Sequence, residues 1–102
     1  MPNNPVVGLS DVVHQRVRLG ILAIANETTR VEFGFLKETL ELTGGNLSQH
    51  ITVLEAARLI KVEKGYEGKR ARTWVSLTKQ GKSALREEIK QLKILVKKIE
   101  GR

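Results

Sequence analysis

The chain has no cysteine, which excludes disulfide bridges, thiolate metal sites and a cysteine nucleophile. Aromatic side chains are scarce: Trp74, Tyr66, Phe33 and Phe35 are all there are. That disfavours the stacking platforms on which single-stranded RNA is bound. No apolar run approaches the roughly 18 residues of a membrane span, and the start MPNNPVVG lacks a signal-peptide layout. A cytoplasmic protein is expected. Internal repeats and low-complexity tracts are missing too, and no phosphate-cradling glycine motif follows a strand.

What the chain does have is positive charge, unevenly placed. The net charge is +7 over 102 residues. Residues 1–58 hold five Lys/Arg against six Asp/Glu (−1), residues 59–72 five against two (+3), and residues 73–102 eight against three (+5). Such asymmetry suits a polyanionic partner, with a solvated charged face as the plainer alternative. The length fits a single domain, 1–102, with a modest core.

After a loose start, SDVVHQRVRLGILAIAN reads as a helix capped by Ser10 or Asp11. Val13, Val17, Gly20, Ile21 and Ile24 recur at helical spacing on one apolar face. Leu9, Val12, Leu19 and Ala23 mark a second face, a surplus that suggests a second packing partner. ETTRVEF predicts a small strand around Val31, and FGFLKETLEL a short helix with Phe35, Leu36 and Leu40 turned inward. Thr43 is expected to cap a helix from about Gly45 to Arg58. In LIKVEKGYEGKRARTWVSLT, Ile60 and Val62 alternate with charges, as do Thr73, Val75 and Leu77 after a turn bracketed by Gly65 and Gly68. Thr78 caps a last helix to about Glu100. The order helix, strand, helix, helix, hairpin, helix predicts an α+β, mainly α, winged helix-turn-helix over 10–77, with a C-terminal helix over 78–100.

The stretch LTGGNLSQHITVL carries the functional signal. On a helical wheel Leu47, Ile51 and Leu54 face the core. Gln49 and Thr52 lie roughly opposite, with Asn46 and Val53 to one side and Ser48 on the other flank. That outer face is small, polar and uncharged. Gln and Asn can pair with adenine edges, and Thr and Ser offer hydroxyls and, for Thr, a methyl for thymine. Gly44 and Gly45 let the helix start approach another surface, where free N–H groups favour a phosphate. The plain alternative is a solvated face whose Asn46 and Ser48 merely cap. The neighbouring hairpin tip KGYEGKRAR supplies Lys64, Lys69, Arg70 and Arg72, long cations suited to phosphate or minor-groove contact. Together the two features point to duplex DNA.

The run NLSQHITVLEAARLIKVEK followed by RTWVSLTKQGKSAL resembles the winged helix-turn-helix of small MarR/ArsR-like transcriptional regulators, over about residues 10–86. A compact branch of roughly hundred-residue archaeal and bacterial proteins is the nearest likeness. The resemblance implies a DNA-binding dimer with the third helix in the major groove and the hairpin as wing. By position, Gly45, Asn46, Ser48, Gln49 and Thr52 would meet DNA from the helix, and Lys64, Lys69, Arg70 and Arg72 from the wing. One departure stands out: such proteins commonly carry a glycine where this chain has Glu55-Ala56-Ala57-Arg58-Leu59. A different helix end or local strain is expected there.

In the last helix Leu85, Ile89, Leu92, Val96 and Ile99 form a heptad seam, widened by Ile94 and Leu95. It predicts a homodimer in which this seam meets Leu9, Val12 and Leu19 of the first helix, placing two reading helices about one DNA turn apart. The alternatives are a seam folded onto its own domain, or a basic helix on anionic membrane, for which no aromatic anchor exists.

No enzyme is predicted. Ser48 and His50 diverge on a helix and cannot form a nucleophile and base pair; Glu87 and Glu88 are adjacent and face solvent. His14 and His50, distant and without cysteine, make no zinc site, so neither metal nor cofactor is expected. Trp74 either covers the dimer interface or lines a cleft. The expected function is sequence-specific regulation of transcription by a dimer acting at promoters through occlusion. Rival readings are a winged-helix protein-docking module and a non-specific architectural DNA-binding protein.

Overall fold

The computed structural model describes residues 8–101. Most of the start expected to be loose (residues 1–7) lies outside the described residues. The elements are α1 (Arg16–Asn26), β1 (Val31–Glu32), α2 (Phe33–Thr39), α3 (Gly44–Ala56), β2 (Ile60–Glu67), β3 (Arg70–Leu77) and α4 (Lys79–Glu100). The strands form an antiparallel sheet in the order β1-β3-β2. This is the predicted winged helix-turn-helix with a long C-terminal helix.

The first helix starts later than its sequence pattern suggests. Ser10 does act as a cap, its hydroxyl accepting from Val13 N at 3.2 Å and its carbonyl from His14 N at 2.6 Å, but it closes only one turn. The chain then extends at Gln15 (φ −136°), whose side chain accepts from Arg18 N and begins α1 afresh. Breaking the helix frees residues 10–14 to turn toward α4. The inward face of α1 consists of Ile21, Leu22 and Ala25, so Leu22, outside both predicted stripes, is fully buried.

In α2, Leu36 is buried but Phe35 stands 54% exposed, against expectation; Phe33 packs toward the core in its place. Glu41, at φ 55°, makes the turn to α3, its N–H reaching Glu38 O and that of Leu42 reaching Lys37 O. Thr43 caps α3 as expected, accepting from Asn46 N at 3.1 Å. Leu47, Ile51 and Leu54 meet the sheet and α1 in a core with Leu36, Ile60 and Val75.

The end of α3 carries the strain that the missing glycine suggests. Arg58 sits at φ 63°, while Arg58 N bonds Glu55 O and Leu59 N bonds Leu54 O, satisfying the last carbonyls in the usual left-handed closure. A side chain there costs about 1–2 kcal/mol that glycine avoids. Thr78 then ties the junction: its hydroxyl donates to Arg58 O at 2.7 Å and accepts from Gly81 N at 2.9 Å. Gly81 lies against this turn so tightly that a Cβ would stand 2.0 Å from Leu59 O.

Two opposite outcomes follow for thermal melts. Arg58→Gly raises stability by about 1 kcal/mol, or roughly 4–8 °C in Tm. Gly81→Ala lowers it by about 2 kcal/mol or more, because backbone must move.

Candidate nucleic-acid interface

On α3 the residues Gly45, Asn46, Ser48, Gln49 and Thr52 are all exposed, opposite the buried Leu47–Ile51–Leu54 stripe. Thr52 donates its hydroxyl to Ser48 O at 2.9 Å, so outward it presents its methyl and remaining lone pairs rather than a free O–H. A Cβ added at Gly44 or Gly45 would meet nothing within 4 Å. The protein's own packing therefore does not require glycine at this helix start.

The wing is a two-residue hairpin. Gly68, at φ 64°, takes the first central position and Lys69 the second, with Glu67 paired to Arg70; glycine first is the type II′ preference. Lys64, Lys69 and Arg70 are exposed and, among the described residues, pair with no carboxylate. Arg72 differs. Its guanidinium is half-buried, 3.4 Å from Glu32 and 3.3 Å from Glu67, the latter contact outside hydrogen-bond geometry. Two carboxylates already counter its charge, so it braces the wing against β1 rather than presenting a free cation.

The helix and the wing meet. A cleft of about 330 Å³ is lined by Ser48, Ile51 and Thr52 of α3, Val62 and Lys64 of β2, Thr73 of β3, and Phe33. Thus Ser48, Thr52 and Lys64, far apart in sequence, share one opening, whereas Lys69 and Arg70 stand at the hairpin tip beyond it. Thr73 and Phe33 were not among the predicted site residues. Only their strand and helix positions, not any polar pattern, could have suggested them.

Residues 17–96 match the family described as winged helix DNA-binding domain. The chain belongs to that family. An uncharacterized protein of Methanocaldococcus jannaschii is 36% identical over 84 residues, spanning 82% of this chain and 91% of its own length. Among solved structures, the transcriptional regulator homologue protein from Pyrococcus horikoshii OT3 superposes with a TM-score of 0.81 at 32% identity, covering 88% of this chain and 89% of that one. HlyU from Vibrio cholerae N16961 gives a TM-score of 0.61 at 25% identity, over 80% and 85% of the two chains.

Within this winged helix DNA-binding domain, the expected dimer surface divides. Leu85 belongs to the domain's own core at 5% exposure, and Val12 and Leu19 pack partly against that core. Leu9 and Leu92 are half-buried, while Ile89, Val96 and Ile99 are 43%, 49% and 73% exposed. Glu88, expected to face solvent, is 2% exposed: its carboxylate accepts from Ser10 N at 3.0 Å and lies 2.9 Å from His14 Nδ1. The turn at residues 10–14 covers it. Trp74 faces away from the core, beside Glu32 and Glu63 across the strands, with the Arg30 guanidinium 3.9 Å above its ring.

His50 occupies the flank of α3, where Arg18 Nη1 lies 3.2 Å from its Nδ1. Burial, then the Arg18 charge, lowers its pKa from the usual 6.5. The unfolded chain therefore takes up this proton first as pH falls, and folding stability declines as pH drops through the interval beneath 6.5. Denaturant midpoints at about pH 7.5 and about pH 5.5 are expected to differ less for His50→Asn than for the wild type.

Proposed function

We propose that this protein is a transcriptional regulator that binds duplex DNA sequence-specifically as a homodimer. In this reading α3 enters the major groove and the wing grips the adjacent backbone. The observation that carries it is the exposed, uncharged face of α3 opening into the same cleft as the basic hairpin. A face made only for solvent has no reason to exclude Lys and Glu, and the bare Gly44–Gly45 start leaves room for a phosphate at the helix N-terminus. The similarity to the transcriptional regulator homologue protein from Pyrococcus horikoshii OT3 supports the regulatory part.

Roles divide by chemistry. Gln49 and Asn46 have paired donor and acceptor groups for base edges, Thr52 a methyl for thymine, and Ser48 a hydroxyl. Lys64, Lys69 and Arg70 supply sequence-independent attraction. For the dimer, α4 offers Ile89, Val96 and Ile99, which its own domain leaves uncovered, and a two-fold axis would set two α3 helices about one DNA turn (~34 Å) apart.

Gln49→Ala is expected to weaken binding by about 1–3 kcal/mol on a selected duplex while barely changing binding to random DNA. Arg70→Ala weakens both alike and lowers the log–log salt slope by about 0.9. If the two variants behave identically on both duplexes, the division of labour is wrong; if the wild type binds no duplex, a protein-docking domain becomes the better reading. Sedimentation should give a dimer that Ile99→Lys dissociates. A concentration-independent monomer defeats the dimeric arrangement.

A further inference from the structure

Apolar packing holds α3 on one side only. Leu47, Ile51 and Leu54 fix its distance from the core, but such contacts are non-directional and define the roll of a helix about its axis poorly. Roll matters here, because successive residues on a helix are separated by about 100° and a small rotation re-aims every exposed side chain. A directional bond at the flank would set it. Among the described residues, one hydrogen bond runs from an α3 side chain to another element, and it is the contact of His50 with Arg18.

Arg18 is well placed to act as a fixed point. Its Nε donates to Val12 O at 2.6 Å and its Nη2 to Asp11 O at 3.1 Å, so the guanidinium plane is locked onto the turn at residues 10–14. That turn is in turn held to α4 by the buried Glu88, which accepts from Ser10 N. The third arm of the fork, Nη1, is left for His50. A guanidinium has no acceptor and does not lose its proton, so His50 Nδ1 must supply the lone pair. The ring is then neutral with its proton on Nε2. His50 lies between the buried stripe and the exposed Asn46 and Val53, which makes it a handle on the border of the reading face.

We propose that Arg18 is a positioning residue for DNA reading: anchored on the Asp11 and Val12 carbonyls, it holds His50 and thereby sets the roll at which α3 presents Asn46, Gln49 and Thr52. The inference rests on the DNA reading above. Arg18 itself touches no base. Each of its three guanidinium nitrogens faces a protein acceptor, and its effect is transmitted through His50.

The test uses a duplex selected by the wild-type protein from a random pool and a scrambled duplex of equal composition, at one salt concentration and well below each variant's Tm. Arg18→Ala and His50→Ala each lower affinity for the selected duplex about tenfold and for the scrambled one by less than about threefold, and the double variant is no worse than either single one. His50→Asn, whose amide oxygen can replace Nδ1 as acceptor, stays within roughly threefold of the wild type. Three results overturn the proposal. An equal loss on both duplexes makes Arg18 a phosphate-binding cation. A lowered Tm with unchanged discrimination makes it structural only. His50→Asn behaving as His50→Ala removes the acceptor from the account. A wild type that selects no duplex fails the DNA reading itself, which is distinct from discrimination that survives Arg18→Ala.

Discussion

The carbonyl oxygen of Leu59 is the point on which this architecture turns. Thr78 N donates to it at 3.1 Å, and Gly81 of α4 leaves no room for a Cβ beside it. One backbone atom thus brings together the end of α3, both feet of the wing hairpin and the start of the C-terminal helix. Since Ile60 pairs with Leu77 directly above this point, the hairpin leaves the domain in a direction fixed relative to α3. The cleft shared by Ser48, Thr52 and Lys64 is a consequence of that fixed angle. The left-handed turn at Arg58, strained as it is, delivers the chain to this junction, and Thr78 secures the same turn through Arg58 O.

Charge is arranged on top of this frame in two ways. On the wing tip, Lys69 and Arg70 stay clear of acids, whereas Arg72 nearer the base is matched by Glu32 and Glu67. A wing braced against β1 a few residues below its turn and bare at its tip keeps its cations extended without losing its direction. At the opposite flank of α3, the polar contacts of Arg18, His50 and Glu88 knit the segment before α1 to three helices.

Much of this was legible in the sequence because the signals were local. Thr43 and Thr78 cap the helices they precede, and Leu47, Ile51 and Leu54 form the buried stripe that period 3.6 requires. The alternation in β2 and β3 gave the hairpin. What was missed depends on contacts distant in sequence. Ser10 looked like the cap of a long helix, yet the demand of buried Glu88 for partners makes residues 10–14 a separate turn. Leu85 fits a dimer seam by spacing alone, and only the packing of α4 on α1 and β3 shows that its own domain buries it. Phe35 and Phe33 differ by two places on a short helix, and which one turns inward is settled by how α2 meets β1, not by hydropathy. For the candidate site, residue types identified the α3 face; the cleft with Thr73 and Phe33, and the ion pairs of Arg72, required the tertiary arrangement.

Trp74, stacked under Arg30 on the outer side of the sheet, has one more consequence. It is the chain's sole indole, so its ultraviolet emission is a built-in reporter of a single location. That location lies across the sheet from Val75 and the packed base of α3. A molecule covering the outer strand surface would change the colour and intensity of this light, while one seated along the exposed side of α3 would leave the fluorophore's immediate surroundings as they are.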